Sequence, residues 1–364
     1  MPILERNESA KMAGSITNIE QVTPAWLTDV LRDGGYVGVG EVVRVRVAQT
    51  RTLIVSNVFH LEVEYSEDAP ASAPPRLFLK ISTDELQTGF RPKEVEFYNT
   101  IARDAPELPL IRCYDAVYST ETGAAHVLLD DVSETHTQTP APLPPSVRDC
   151  ELAMDCIAQL HAHFWEHPRF VKGVGRRTSA REFETLRQTL SGHFAAFAEF
   201  LGDRFPAERR ATYERVLAGS MRPWRRMIEP EGLTVSHGDA HWWNFLYPRD
   251  PANGTALIFD WHLWHVDIPL KDLAFMIALN WYPQRRARLE QKLLRRYHAV
   301  LVERGVRNFS WDECWHDYRQ AVVRELFVPV WQWSSGMKPV HWWSSLEKIW
   351  LAFEDLRCAE LLDE

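Results

Sequence analysis

Residues 236–245 read SHGDAHWWNF, a stretch with two histidines, one aspartate, two tryptophans and one asparagine. Three kinds of structure use such residues: a metal centre, a catalytic carboxylate beside a metal ligand, or a polar turn between core aromatics. Asp239 and Asn244 are five positions apart, and the apolar segment ALIF then leads to Asp260. The segments before and after this stretch decide among the three.

The composition is that of an ordinary folded protein, and it argues against several classes of partner. The chain has 364 residues, of which 45% are hydrophobic and 25% charged, and its length suggests two domains. A net charge of −9 argues against nucleic acid or an anionic membrane as partner, because both require a basic face. The five cysteines form no CxxC pair and the N-terminus lacks the apolar core of a signal peptide. We therefore expect a cytoplasmic protein with reduced thiols.

The first part of the chain has the pattern of a β-sheet followed by a helix. Between residues 42 and 81, the segments EVVRVRVAQ, NVFHLEVEY and RLFLKIS alternate or are rich in β-branched residues. The segment RPKEVEFYNTIARD then predicts a helix on which Glu94 shares a face with Phe97 and Ile101. Glu96 falls on the opposite face of that helix. Glu94 is therefore expected to point inward.

The proline-rich segment TQTPAPLPPS separates this part from a largely helical remainder. Beyond it, apolar residues recur at helical spacing in CELAMDCIAQLHAHFW and in DIPLKDLAFMIALNW, where Asp267 is the expected N-cap. The segments TVSHGD and ALIFDWH have the pattern of short strands that end in charged groups. We predict an α+β chain with a small β-rich lobe at residues 1–133, a linker at 134–146 and a helical lobe at 147–364.

Two metal-binding hypotheses compete for the SHGDAHWWNF stretch. His237, Asp239 and the distant His298 have the order of the HxD…H triad of Fe(II)-dependent oxygenases. That oxygenase fold is a double-stranded barrel, however, whereas the pattern of residues 268–304 is strongly helical. His237 and His241 are also conceivable zinc ligands, but a pair at i and i+4 needs a helix that the WWNFLYP run does not favour. Both hypotheses stay open as alternatives at this point.

A third hypothesis starts from the spacing of the oxygen-bearing side chains. Phosphoryl transfer in kinases requires an aspartate that accepts the hydroxyl proton, and an asparagine and a second aspartate that hold magnesium. Asp239, Asn244 and Asp260 provide this set, and magnesium prefers oxygen ligands. Upstream, Lys80 lies in the third predicted strand and Glu94 on the following helix. This is the order of the lysine and glutamate that position the nucleotide phosphates in kinases.

In these motifs the chain resembles the aminoglycoside phosphotransferase and choline kinase-like superfamily, and most closely its ecdysteroid kinase-like branch. The resemblance covers residues 50–280 and includes LFLKIS, KEVEFYNTIA, VLLDDVS, VSHGDAHWWNFL and IFDWHLWHVDIPLKDLAFMI. It implies a protein-kinase-like two-lobe fold with ATP and Mg²⁺ as cofactors.

The resemblance also implies individual roles for the matching residues. Asp239 would be the catalytic base, with Asn244 and Asp260 as magnesium ligands, Lys80 on the ATP phosphates, Glu94 orienting Lys80, and Asp131 and Val132 in the adenine-binding hinge. One departure is that QTRTLIVSN has no glycine where protein kinases carry a GxGxxG loop. Ser56 and Asn57 therefore become the candidates for hydrogen bonds to the phosphates, with Arg51 supplying charge.

The acceptor is expected to be a small molecule with a free hydroxyl group, such as a sugar, an aminoglycoside, a sterol or an amino alcohol. Aromatic faces suit sugar rings, steroid-like bodies and cations. The predicted substrate contacts are Trp242, Trp261, Trp264 and His241. The sequence thus predicts an ATP- and Mg²⁺-dependent small-molecule kinase. The alternatives are an Fe(II)-dependent oxygenase and a catalytically silent kinase-like binding protein.

Overall fold

The computed structural model describes residues 14–53, 56–82, 91–171, 175, 177–218, 222–229, 231–250, 252 and 254–362. The chain divides into two compact units. The first, here called the β unit, comprises Met1–Thr137 together with Asp260–His262. The second, the helical unit, comprises Gln138–Phe259 and Leu263–Glu364. The finer division into residues 1–133, 134–146 and 147–364 stays a prediction.

The β unit is built on a five-stranded antiparallel sheet with the strand order β1-β2-β3-β5-β4. The strands are β1 (Val42–Thr52), β2 (Ser56–Tyr65), β3 (Arg76–Ser82), β4 (Cys113–Tyr118) and β5 (Ala125–Asp130), and a short strand β6 (His136–Thr137) follows. Leu77, Leu79 and Ile81 are buried at alternate positions of β3. This burial explains why period-two alternation predicted β3 correctly.

Two helical segments accompany this sheet. Helix α1 (Pro24–Asp33) is capped by Thr23 and buries Leu27 and Leu31 in the core of the sheet. Helix α2 (Arg91–Glu96) continues into a π-helical turn at Phe97–Ile101 and a 3₁₀ turn at Ala102–Asp104. The predicted helix at residues 91–104 is therefore present, although it changes its winding after Glu96. Winding changes of this kind are frequent at functional sites.

The helical unit carries nine helices and four short strands among its described residues. The helices are α3 (Val147–His163), α4 (Ala180–Leu201), α5 (Ala207–Ala218), α6 (Arg222–Arg225), α7 (Leu270–Ile277), α8 (Pro283–Glu303), α9 (Trp311–Glu325), α10 (Val328–Ser334) and α11 (Pro339–Asp355). The strands are β7 (Thr234–Ser236), β8 (Phe245–Pro248), β9 (Leu257–Ile258) and β10 (His265–Asp267). Strand β7 pairs antiparallel with β10, and β8 pairs antiparallel with β9.

The N-cap predicted for helix α7 is wrong. The helix begins at Leu270 and its N-cap is Pro269. Asp267 instead ends strand β10, where its carboxylate accepts a hydrogen bond of 2.8 Å from Nη1 of Arg324. Both side chains are buried. A buried carboxylate needs a paired cation, and this requirement outweighs the local preference for capping.

Aromatic packing explains why so many tryptophans occur in the second half of the chain. Trp242 stacks on Trp281 with ring centroids 4.7 Å apart and planes 2° from parallel. Phe194 stacks on Tyr213 with a centroid distance of 4.9 Å. Such pairs stabilise a core beyond the apolar area that they bury. Within the described ranges, no helix has both the length and the apolar character that crossing a bilayer requires.

Candidate active site

Lys80 joins two carboxylates within the β unit. Its Nζ donates a hydrogen bond of 2.8 Å to Oε2 of Glu94 and one of 2.7 Å to Oδ1 of Asp260. Lys80 lies in β3, opposite Val58 on one side and Val127 on the other. Its side chain is 15% exposed. The lysine is therefore held by a helix residue and by a residue far downstream in the sequence.

The electrostatics of this cluster keep Lys80 and Asp260 charged. Burial lowers the pKa of Lys80, but the carboxylates of Asp260 and Glu94 outweigh it and hold the pKa above its usual range. Burial likewise raises the pKa of Asp260, and Lys80 followed by His262 outweighs it, so that this pKa lies well below its usual range. The cluster thus presents an ammonium group and an ionised carboxylate, as binding of a phosphate and a metal ion requires.

Asp260 also has an unusual backbone conformation. Its φ is 69°, in the left-handed region that non-glycine residues rarely occupy. His262 Nδ1 lies 3.0 Å from Asp260 Oδ1. The next residue, Trp261, stacks on Phe97 with centroids 3.7 Å apart and planes 7° from parallel. This stacking anchors a strained backbone beside a proposed metal ligand, a combination typical of functional sites.

The start of β2 offers a polar group suited to a phosphate. The Ser56 side chain is 2% exposed, and its Oγ has no hydrogen-bond partner among the described residues. The Ser56 carbonyl accepts a hydrogen bond of 2.8 Å from the Leu53 N–H. Asn57 is partly exposed and pairs with Thr52 and Ile81 in the sheet. The predicted phosphate contacts of both residues stay predictions, and residues 54 and 55 of that loop lie outside the described residues.

The predicted hinge residues are already committed to local hydrogen bonds. Asp131 Oδ2 lies 2.7 Å from His60 Nδ1, and Oδ1 accepts a 3.0 Å bond from the Ser133 N–H. The Val132 carbonyl accepts from the N–H groups of Thr135 and His136 at 3.1 and 2.8 Å. An adenine contact by Val132 would therefore have to come from its N–H group. The side chain of Asp131 positions the hinge backbone.

In the helical unit, Asp272 organises the SHGD segment. Its carboxylate accepts hydrogen bonds from Ser236 Oγ at 2.8 Å, the His237 N–H at 2.6 Å and the Gly238 N–H at 3.0 Å. His161 Nε2 lies 3.3 Å from the same carboxylate. Burial raises the pKa of Asp272, but the hydrogen bond with His161 outweighs it and the pKa lies below its usual range. Asp272 is thus an ionised structural carboxylate.

His237 and Asn244 fix the position of Asp239. His237 Nε2 lies 2.9 Å from the Phe259 carbonyl, and its Nδ1 accepts a 3.3 Å bond from the Asp239 N–H. Asn244 Nδ2 donates to the Asp239 carbonyl at 2.9 Å, and the Asn244 carbonyl accepts from the Phe259 N–H at 3.1 Å. Phe259 immediately precedes Asp260 in the chain. The Asn244 amide nitrogen is therefore engaged, and Oδ1 is the atom suited to a metal.

His241 lies next to the proposed base. Its Nε2 is 3.7 Å from Asp239 Oδ2, and its side chain is 28% exposed. Its Nδ1 is buried and has no hydrogen-bond partner among the described residues. His241 is thus close enough to contact a ligand at Asp239, and its predicted substrate contact stays a prediction.

The three tryptophans predicted as substrate contacts pack inside the protein instead. Trp242 and Trp261 are 0% exposed and Trp264 is 2% exposed. Trp242 Nε1 donates a hydrogen bond of 2.6 Å to the Met276 carbonyl. A ring without accessible surface has no face to offer a ligand, so these assignments are corrected to core packing. The sequence did not separate the two roles, because both favour large aromatic residues.

Two residues that support the loop were missed. His161 is 0% exposed and lies 2.8 Å from the Tyr297 hydroxyl as well as 3.3 Å from the Asp272 carboxylate. Trp243 Nε1 donates a 3.0 Å bond to the Leu143 carbonyl in the proline-rich segment. No local pattern reveals either contact, since each joins residues at least 100 positions apart.

The structure does not assemble the iron or zinc sites considered above. His298 Nε2 lies 2.8 Å from the Phe309 carbonyl, inside helix α8 and far along the chain from His237. Both ring nitrogens of His237 are engaged by backbone groups. Across the ranges that the structure covers, no group of three histidine, cysteine, aspartate or glutamate side chains could hold a metal ion. His237 therefore holds the loop in place.

Solved structures of other proteins show which fold this chain has. A protein from Ralstonia eutropha JMP134, assigned as an aminoglycoside phosphotransferase, matches 93% of this chain and 98% of its own with 12% identity and a TM-score of 0.56. An amicoumacin kinase matches 90% and 92% with 12% identity and a TM-score of 0.53, and a microcompartment-associated aminopropanol kinase matches 92% and 95% with 12% identity and a TM-score of 0.52. The fold is thus that of the kinase-like phosphotransferases, as predicted.

A family model adds the family of the chain to its fold. The model of the ecdysteroid kinase-like family matches residues 56–307, more than half of the chain. The chain therefore belongs to the ecdysteroid kinase-like family, and the predicted resemblance is confirmed. No curated protein matches the sequence.

Proposed function

We propose that this protein is an ATP- and Mg²⁺-dependent phosphotransferase that transfers a phosphoryl group to the hydroxyl of a small molecule. The observation that carries the proposal is the Lys80 ammonium group, hydrogen-bonded to both Glu94 and Asp260. In kinase-like enzymes this lysine binds the nucleotide phosphates, and the glutamate keeps it in place. The amicoumacin kinase with the same fold was solved in complex with AMP-PNP and Ca²⁺, which supports nucleotide and metal as cofactors.

Each polar residue then has a separate task. Asp239 accepts the proton of the attacking hydroxyl, and the His237 and Asn244 hydrogen bonds hold its backbone still. Asn244 and Asp260 provide the oxygen ligands that suit magnesium, which when bound neutralises the charge of the phosphates. Lys80 contacts the phosphates, and the buried Ser56 hydroxyl donates to them. The N–H of Val132 contacts the adenine ring.

The acceptor is proposed to be a hydroxyl compound of the sugar, aminoglycoside, sterol or amino alcohol type. Two proteins with this fold are an amicoumacin kinase and an aminopropanol kinase, which supports a small-molecule acceptor. The net charge of −9 also favours small molecules over nucleic acid. Because the three predicted tryptophans are buried, His241 is the remaining predicted residue for contact with the acceptor.

A transfer assay tests this proposal. The purified protein is incubated with ATP, Mg²⁺ and a panel of sugars, aminoglycosides, sterols and amino alcohols, and phosphorylated products are detected by mass spectrometry. We expect Asp239→Asn to keep ATP binding and to lose about 10² to 10⁴ in turnover, the usual contribution of a positioned general base. Asp203→Asn, at an exposed aspartate of the same unit, is the control and should retain full activity.

Two results would contradict the proposed phosphotransferase activity or its catalytic base. Full turnover by Asp239→Asn would contradict the assignment of the base. If the wild-type protein binds ATP with Mg²⁺ but shows neither transfer nor ATP hydrolysis above background, it is instead a silent kinase-like binding protein. The glycine-free segment QTRTLIVSN favours that second candidate, because it departs from the phosphate loop of protein kinases.

A further inference from the structure

The helical unit contains a cavity of about 930 Å³ that none of the predicted site residues line. Its walls come from α5, α6, the turn before β7 and the first part of α9. This volume lies within the range of about 300–1,000 Å³ typical of small-molecule sites. The cavity is therefore large enough for an organic ligand.

The charged groups that line this cavity favour a cation. The lining includes six carboxylates and three guanidinium groups. The carboxylates are those of Glu166, Glu229, Glu231, Asp312, Glu313 and Asp317. Arg226 is already engaged, because its guanidinium lies 3.2 Å from Asp317 Oδ2 and 3.2 Å from Glu229 Oε2. The excess negative charge thus corresponds to a ligand with more than one positive charge.

Gln320 provides a second and independent observation. Its side chain is 6% exposed and lines the cavity. Its Nε2 lies 2.7 Å from His316 Nε2, whereas its Oε1 has no hydrogen-bond partner among the described residues. A buried amide oxygen without a donor is costly. An N–H group of a bound ligand would satisfy this oxygen.

The aromatic lining favours an organic cation over a bare metal ion. The rings of Trp165 and Phe309 both line the cavity, with centroids 4.9 Å apart. Aromatic faces attract ammonium groups and pack against methylene chains. Within the described part of the chain, no group of three histidine, cysteine, aspartate or glutamate side chains has a geometry that could hold a metal ion. An aliphatic chain with several ammonium groups matches the charge, the acceptors and the apolar surface together.

We propose that this cavity binds an aliphatic polyamine, with an ammonium group donating to Gln320 Oε1 and further ammonium groups near Asp312 and Glu231. This site does not depend on phosphotransfer activity. The cavity does, however, lie beside α9 and the start of β7, two elements that support the SHGD segment. Gly232 is two residues before β7, and the last turn of α9 carries Arg324, which pairs with Asp267. A bound polyamine would therefore stabilise the helical unit.

Calorimetric titration of the full chain with spermidine tests the proposal, together with thermal unfolding. We expect one spermidine per chain and a raised Tm. Gln320→Leu removes the buried acceptor, and the double variant Glu231→Gln with Asp312→Asn removes two exposed charges without touching the core. Each should weaken spermidine binding about tenfold or more. The double variant Glu199→Gln with Asp203→Asn removes two exposed charges elsewhere and should bind like the wild type.

Three results would overturn the proposal. The first is no binding of spermidine at millimolar concentrations. The second is an equal shift in Tm from NaCl at the same ionic strength, which indicates unspecific screening. The third is binding that survives both cavity variants but is lost in Asp239→Asn, because spermidine would then occupy the proposed acceptor site. That last result would leave the proposed function standing. Loss of transfer activity alone, with spermidine binding intact, affects only the proposed function.

Discussion

Lys80 Nζ donates a hydrogen bond of 2.7 Å to Asp260 Oδ1, although the two residues are 180 positions apart. The same nitrogen donates to Glu94, so a single ammonium group pairs with two carboxylates. A buried charge cluster of this kind is stable only when every member is present. Removing the cation should therefore affect both carboxylates at once.

The substitution Lys80→Met tests this relationship. Methionine keeps the length of the side chain but removes the charge, so the nucleotide phosphates lose their cation and Glu94 loses its partner. We expect kcat/KM for ATP to fall about 10²-fold or more. Steady-state kinetics with ATP as the varied substrate measure the effect. Lys292→Met, at an exposed lysine of α8, is the matched control, and equal activity of the two variants would contradict the assignment.

Gly238, which precedes the proposed base, is predicted to tolerate no side chain. Its φ is +82°, and an added Cβ would lie 2.3 Å from the Leu263 carbonyl oxygen, so the backbone would have to move. We expect Gly238→Ala to lower Tm and to reduce turnover more than tenfold. In Gly192→Ala the new methyl group meets nothing within 4 Å, and this helical site should gain about 0.5–1 kcal/mol of stability. Normal turnover in Gly238→Ala would show that the loop adapts.

Trp242 is expected to matter for stability and not for the affinity of the acceptor. It is fully buried, stacks on Trp281 and donates a hydrogen bond to the Met276 carbonyl. Trp242→Phe should cost about 2–3 kcal/mol in the free energy of unfolding. Trp343→Phe, at a ring that is 39% exposed, should cost less than about 0.5 kcal/mol. A large rise in KM for the acceptor in Trp242→Phe, without loss of stability, would restore its role as a substrate contact.

Glu325 should make the protein less stable as the pH rises. Burial raises the pKa of Glu325 to about 7, against the opposing effect of Lys271 and Arg324. In the unfolded chain a glutamate titrates near ~4.3, so the folded state holds the proton more tightly. The contribution of Glu325 to the free energy of unfolding therefore falls between about pH 4 and pH 7 and then levels off.

The variant Glu325→Gln stays neutral and should lack this part of the slope. Above pH 7 the free energy of unfolding of the variant should exceed that of the wild type by about 3–4 kcal/mol, because one pKa unit corresponds to about 1.4 kcal/mol. Chemical denaturation at a series of pH values gives the difference between the two proteins. Glu303→Gln, at an exposed position of α8, should follow the wild-type curve. A difference that does not change with pH would contradict the raised pKa.

The sequence predicted those features that depend on local order. Alternation of apolar residues predicted β3 and placed Lys80 in it, and helical spacing turned Glu94 inward. The spacing of Asp239, Asn244 and Asp260 singled out the oxygen-bearing set. In these cases the information lies within a few residues or in the order of segments. Helix α1 has such local signals as well, because Thr23 caps it and Pro24 occupies its first turn.

The features that were missed depend on contacts between distant residues. Asp267 is an N-cap by its local sequence, and only the buried Arg324, 57 positions later, shows why its carboxylate is engaged elsewhere. The contact between His161 and Asp272 spans 111 positions. The substrate contacts predicted for the buried tryptophans were wrong for another reason. A tryptophan in the core and a tryptophan against a ligand have the same local pattern, and only the packing around Trp281 separates them.

The assignment of Asp260–His262 to the β unit has a consequence for biosynthesis. Phe97 and Lys80 are synthesised early, and their partners follow more than 100 residues later. Trp261 stacks on Phe97, and Asp260 accepts a hydrogen bond from Lys80. At about 5–20 residues per second, translation leaves this nascent unit incomplete for several seconds or more. A fragment that stops at Thr137 would expose an aromatic face and leave Lys80 with Glu94 as its one remaining carboxylate partner of the two. Expression of the β unit alone should therefore require the 260–262 segment in the same polypeptide.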